Sequence, residues 1–149
     1  MLSLHSEPVQ DHWLDAYGHL NEAYYLVPFS NATWQLQEYF SIGVDYFERT
    51  GAALYTVESH VRYLKEVRAP AVMEIESMIL GSDAKRIRFA HVMKVDGVER
   101  STFECLGLHF DTRAGKTAPM ADNVQSALKA AAVSVLPDWC GRSVTLDKK

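Results

Sequence analysis

The stretch Asp15-Ala16-Tyr17-Gly18-His19-Leu20-Asn21-Glu22-Ala23-Tyr24-Tyr25 decides how the rest of the chain is read. It sets an ionisable acid, a glycine, a histidine and a helix start side by side. Gly18 lacks a Cβ and so admits a turn that other residues resist. Asn21 suits the N-cap position, with Glu22 and Ala23 following in the first turn. A helix that begins there aims free backbone N–H groups and a partial positive charge back at the turn carrying Asp15. An ordinary aspartate, with a pKa of about 3.9, is ionised at neutral pH. A carboxylate beside oriented N–H donors is the minimum equipment for attack on a carbonyl. The acid would serve as base or nucleophile, and the amides would hold the developing oxyanion. Asx-Gly turns also precede helices that do no chemistry, so spacing alone leaves both readings open.

Upstream, residues 2–10 alternate weakly and read as a first strand at a sheet edge, with His12 and Trp13 leading into the turn. Downstream, a helical region covers about residues 21–40, with Pro28 inside it. Proline disfavours helix at the residue before it and is welcome at a first helical position. The expectation is a short first turn and then a longer helix from near Pro28. Its apolar set, Phe29, Ala32, Trp34, Leu36 and Phe40, is broad enough for a helix wrapped by a sheet. Residues 41–51 connect, with a helical turn possible.

The period then changes to two. Residues 53–64 place Tyr55, Val57, Ser59, Val61 and Tyr63 on one face and Thr56, Glu58, His60, Arg62 and Leu64 on the other. A strand over 71–80 turns at Gly81-Ser82-Asp83, and residues 85–95 alternate Ile87, Phe89, His91, Met93 and Val95 against Arg86, Arg88, Ala90 and Val92. Asp96-Gly97 is a two-residue hairpin signal, and a strand over 98–111 closes the sheet. Residues 117–120 form a loop, after which Asp122 or Asn123 caps a helix to about Val133. The tail, residues 136–149, carries Trp139 and is expected to dock. The order predicts one α+β domain over residues 1–149, with an antiparallel sheet of about five strands beside a long helix and a C-terminal helix.

Composition narrows the function classes. A length of 149 residues suits one domain with a proper core. The net charge of −4 and the absence of a basic stripe argue against a nucleic-acid partner. No apolar run approaches the roughly 20 residues of a membrane span, and Glu7 and Pro8 interrupt any signal-peptide core. Cys105 and Cys140 lie far apart and belong to no metal-spaced pair. A cytoplasmic protein is expected.

The pattern Asp-x-x-Gly-His-x-Asn-x-x-x-Tyr over residues 15–25 resembles the active-site signature of hotdog-fold acyl-CoA thioesterases of the 4-hydroxybenzoyl-CoA thioesterase type. The strand and helix order is also similar to that fold, in which the curved sheet wraps the first long helix. The resemblance covers residues 5 to about 120 and implies a thioester hydrolase. It carries the catalytic acid onto Asp15, the turn onto Gly18 and His19, the cap onto Asn21, and the oxyanion donor onto the backbone N–H of Glu22. Many members carry a second acid two residues before the first. Here that position is Trp13, so Asp15 stands without a helper. The resemblance implies no cofactor beyond the coenzyme A of the substrate, and a homodimer or homotetramer with sites at the interface. Three further stretches, over residues 21–29, 55–60 and 80–86, are similar to thioesterases linked or fused to bacterial L-carnitine dehydrogenases. Their implied substrate is betainyl-CoA.

A trimethylammonium acyl group is well served by aromatic faces and a nearby carboxylate. Tyr24, Tyr25, Trp34 and Tyr55, with Glu22 or Glu58, are the residue types for such a pocket, and each also reads plainly as packing. His60 shares a strand face with Glu58. Lys85, Arg86, Arg88 and Lys116 are candidates for the CoA phosphates by charge-assisted bonds, although charges near turns are commonly just solvated. Glu38 occupies the long helix on which a second thioesterase class places its glutamate, and Asp15 makes a surface role simpler for it. His12, Asp15, His19 and Glu22 match no metal-ligand spacing, so no metal is expected. The alternatives are hydrolysis of another short-chain or aromatic acyl-CoA, hydratase chemistry, and a non-catalytic acyl-CoA or small-cation binder.

Overall fold

The computed structural model describes residues 1–146. Strand β1 (Leu2–Pro8) is followed by a 3₁₀ turn over Asp11–Trp13 and a second over Glu22–Tyr25, which runs straight into helix α1 (Leu26–Tyr39). Helix α2 (Val44–Thr50) leads to the long strands β2 (Ala52–Tyr63), β3 (Val72–Ser82), β4 (Arg86–Val95) and β5 (Val98–Asp111). A two-residue strand β6 (Lys116–Thr117) and helix α3 (Asp122–Ala131) follow. All pairings are antiparallel in the order β1-β3-β4-β5-β2, with β6 on β5. The sheet curls round α1 in the hotdog arrangement, with one short strand more than expected.

Helix α1 begins two residues before Pro28, which therefore sits in the first turn, where its missing N–H has no intrahelical partner to lose. Phe29, Ala32, Leu36 and Phe40 are buried, and Trp34 is not, being half exposed. The helical period explains that correction: Trp34 lies two residues from both Ala32 and Leu36, about 200° round the helix. Phe29 stacks on Phe103 of β5 (5.2 Å between centroids), which fixes the helix in the concave face.

The inner residues of β4 are as expected, since Ile87, Phe89, His91, Met93 and Val95 are all buried. Ala90 and Val92 on the outer face are buried too. They pack with Met78 and Leu80 under Val133, Trp139 and Cys140, so the tail docks on the back of the sheet. The Gly141 N–H donates to Glu104 Oε2 (2.7 Å), whose other oxygen accepts from Arg88 Nε (2.7 Å).

Smaller departures are local. The β3–β4 turn comes later than Gly81, because the strand runs through Ser82 and Asp83 Oδ1 accepts from the Lys85 and Arg86 N–H groups (2.9 and 2.8 Å). Asp96 and Gly97 both take positive φ (51° and 72°), as a two-residue hairpin requires. Ala121, with no side-chain cap bond, precedes α3, and Asp122 is its first residue. The helix stops at Ala131 because Ala132 turns extended and bridges to Ile79.

One irregularity matters for the site. The register of β2 against β5 shifts between Thr56 and Glu58. Tyr55 faces Leu108 and Glu58 faces Leu106, so both share one side of the sheet. The expected alternation over 53–64 is therefore broken: Tyr55 joins Glu58 and His60 on the outer face, away from Ser59, Val61 and Tyr63.

Candidate active site

The turn ahead of α1 is tied down by its own backbone. Leu14 and Leu20 bridge antiparallel, the Asp15 N–H donates to the His19 carbonyl (2.8 Å), and the Gly18 N–H donates to the Asp15 carbonyl (3.0 Å). Gly18 has φ +71°, the left-handed conformation that the reversal needs and that a Cβ would strain. The Asn21 N–H donates to the Trp13 carbonyl (2.9 Å) and the Leu20 N–H to the Val67 carbonyl (2.8 Å). The turn is thereby held against the segment that follows β2.

Within this frame the Asp15 carboxylate is oriented by the loop itself. Its Oδ1 accepts from the Tyr17 N–H (2.8 Å) and the His19 N–H (3.2 Å). Oδ2 accepts no hydrogen bond among the described residues and remains open. Asn21 caps as expected, its Oδ1 accepting from the Ala23 N–H (3.0 Å). That bond removes the Ala23 amide from further use. The Glu22 N–H, first in the 3₁₀ turn, has no carbonyl within the helix to bond.

Asp15, His19, Glu22 and Tyr25 line one open cavity of about 370 Å³ together with Leu20, Tyr63, Leu64, Lys65 and Glu66. His19 Nε2 is withdrawn from solvent and has no hydrogen-bond partner among the described residues. Such an unpaired polar atom ordinarily costs about 1–3 kcal/mol. Tyr25 is buried and meets Tyr63 edge to face (5.0 Å, 86°). The Tyr63 hydroxyl donates to the Glu22 carbonyl (3.2 Å), joining the end of β2 to the helix start. Burial pushes the phenols of both Tyr25 and Tyr63 above their ordinary pKa.

The other expected site residues lie elsewhere. Tyr24 stacks on Trp13 (6.1 Å) with His12 at its edge and does not line the cavity. Trp34 stands on the exposed side of α1, and Tyr55 stacks on Phe110 (5.1 Å) on the outer sheet face. Glu58 and His60 do meet, in a separate outer cavity of about 340 Å³ that Arg88, Glu104 and Arg142 also line. Lys85 and Arg86 sit at the β3–β4 turn, where Arg86 is paired with Asp83, while Lys116 is exposed on β6. Glu38 Oε1 accepts from the Val44 N–H (2.8 Å), so this glutamate caps α2. Among the described residues no group of three or more His, Cys, Asp or Glu is arranged to hold a metal ion.

The segment 63–66 was missed as part of the site. Tyr63 was visible only as one member of an alternating strand, and nothing local tells which turn a strand end will face.

The chain can be compared with known proteins on this footing. It is 37% identical to the L-carnitine dehydrogenase/betainyl-CoA thioesterase of Agrobacterium fabrum over 96% of this chain, and spans 30% of that longer protein. It is 30% identical to the betainyl-CoA thioesterase of Pseudomonas aeruginosa over 98% of this chain and 96% of that one. A solved structure from Pseudomonas putida KT2440, 28% identical, superposes with a TM-score of 0.82 over 99% of this chain and 97% of that one. Residues 9–128, which hold the turn, α1 and the whole of β2 to β5, match the Thioesterase-like superfamily, and the chain belongs to it.

Proposed function

We propose that this chain hydrolyses acyl-CoA thioesters and that its substrate is betainyl-CoA, giving betaine and free coenzyme A. The observation that carries the hydrolysis is the state of Asp15. Its Oδ1 is saturated by two turn amides and its Oδ2 is open, in a cavity shared with the first residue of the helix. The thioester carbonyl accepts from the Glu22 N–H, and the helix start stabilises the oxyanion. Asp15 then takes a proton from water as it attacks, or attacks directly to give a mixed anhydride that water opens. In both routes the C–S bond breaks and coenzyme A leaves as the thiolate. The water that attacks the carbonyl or opens the anhydride gives up two protons, one ending on the thiol and one in solvent, and a carboxylate is released. Gly18 and Asn21 set the loop and the cap, and His19 lines the same cavity. The betainyl group is supported by the similarity to the two relatives that bear that name.

No metal or other cofactor takes part in this reading. For the phosphates of coenzyme A, Lys85 and Lys116 make no ion pair among the described residues, whereas Arg86 and Arg88 already hold Asp83 and Glu104. A homodimer or homotetramer is part of the same proposal. Strand β2 is a sheet edge that exposes Tyr55 and Val57, an arrangement a second copy would cover. No described helix is long and apolar enough to cross a membrane, and the cytoplasm is the proposed location.

The test is Asp15→Asn, followed by thiol release from betainyl-CoA with a chelator present. Asparagine keeps an oxygen for the Tyr17 and His19 amides and loses the charge. Turnover is expected to fall about 10²–10⁴-fold with an unchanged melting temperature. Turnover within a few-fold of the parent would remove Asp15 from the chemistry.

A further inference from the structure

In a betainyl thioester the quaternary nitrogen is two bonds from the carbonyl carbon, a separation of about 2.5 Å from ordinary bond lengths. Whatever recognises the cation must therefore line the same cavity as Asp15 and the Glu22 amide. Within one protomer that requirement removes Trp34, Tyr24 and Tyr55, none of which lines that cavity. It leaves Tyr63. We propose that Tyr63 is the aromatic wall against which the trimethylammonium group rests, with the carboxylates of Glu22 and Glu66 flanking it, and that this wall sets the preference for a cationic acyl group.

The proposal rests on the thioesterase reading and on three observations. Tyr63 is 51% exposed, so much of its ring is open to a ligand, while buried Tyr25 meets it edge to face and holds it upright. Its hydroxyl is anchored on the Glu22 carbonyl, which sets the ring beside the residue whose N–H faces the oxyanion. The lining holds three carboxylates, Asp15, Glu22 and Glu66, against the ammonium of Lys65, and the guanidinium of Arg68 pairs loosely with Glu66 at the exposed rim (3.8 Å). One negative charge is left in excess, and Asp15 and Glu22 are the acids without an ion pair among the described residues. A trimethylammonium group donates no hydrogen bonds, so ring faces and unpaired carboxylates suit it better than amides or hydroxyls do. His19 is in the same lining with its Nε2 shielded from solvent, so that polar atom does not face the ligand.

The experiment compares betainyl-CoA with 3,3-dimethylbutanoyl-CoA, which has the same shape with carbon in place of the charged nitrogen. The parent protein is expected to prefer the cationic substrate in kcat/KM. Tyr63→Leu should lower that preference by about 2- to 30-fold. Tyr63→Phe should keep it, since the ring remains. Glu66→Gln, an exposed change with little bearing on folding, should lower the preference less, and its effect should shrink in high salt. Equal losses on both substrates in Tyr63→Leu, with no selectivity change in Glu66→Gln, would overturn the subsite and leave the hydrolase standing. Release of coenzyme A from neither substrate by the parent protein would instead sink the thioesterase reading, and the subsite with it.

Discussion

His91 should make this fold lose stability in mild acid. Its ring is fully buried on β4, flat against Phe29 and Phe103 (6.1 and 5.7 Å, both 10°). The tautomer follows from its neighbours. Thr33 Oγ1 donates to the Phe29 carbonyl (2.9 Å), so it accepts from His91 Nε2 (3.0 Å), and Nδ1 in turn accepts from the Ser77 hydroxyl (2.8 Å). Burial, and then the nearby His5, lower the His91 pKa from 6.5 to about 3. A folded pKa below the unfolded one means that only the unfolded chain gains a proton in this range. The stabilisation is thus complete above pH 6.5 and is lost as pH falls towards 3. At about 1.4 kcal/mol per pH unit, the loss is roughly 2 kcal/mol by pH 5 and about 5 kcal/mol at the lower limit. Set against the 5–15 kcal/mol typical of a domain, that is a large share. Urea unfolding at pH 7, 6 and 5 measures it, with the double variant His91→Phe/Ser77→Ala as reference. Phenylalanine keeps the flat stack, and alanine avoids leaving the serine unpaired. The stability gap between parent and variant should shift by roughly 2 kcal/mol over that range. Parallel curves for the two proteins would refute the reasoning.

Two other predictions concern the supports of the site. Glu38→Ala removes the cap on the Val44 N–H and should cost about 1 kcal/mol, or about 2–4 °C in melting temperature, with thiol release unchanged. A hundredfold loss of turnover would instead make Glu38 the catalytic acid. Trp139→Ala should free the tail from Met78, Leu80, Ala90 and Val92, lowering stability by about 1–3 kcal/mol and raising binding of a hydrophobic dye. An unchanged melt would mean that the tail is not docked in solution.

The parts of the fold that were legible in the sequence are those decided by local physics. Asn21 accepts from the amide two residues on, Gly18 takes the left-handed φ, and Asp96-Gly97 makes its hairpin with both residues at positive φ. Each needs only its immediate neighbours. The face of β4 was equally plain, because five apolar or aromatic positions at period two admit one inward side. The burial of Ala90 and Val92 was not, since it depends on a tail more than forty residues later in the chain.

The site shows how one extra residue divides candidates that look equivalent in the sequence. Strict alternation over β2 would set Tyr55 beside Tyr63 and leave Glu58 on the other side. The shift between Thr56 and Glu58 adds a residue against β5, and from there the parity reverses. Tyr55 turns outward with Glu58 and His60, whereas Tyr63 falls on the inner face, where Tyr25 and the helix start are waiting. Nothing in the Thr-Val-Glu run announces this, because no glycine marks the bulge and valine is at home in an unbroken strand. The bulge is settled by the need to keep Leu54 and Val61, seven residues apart, packed against one core. With strict alternation an odd separation would put them on opposite faces; one inserted residue brings both inward. The same insertion that satisfies the core thus delivers Tyr63 to the cavity of Asp15.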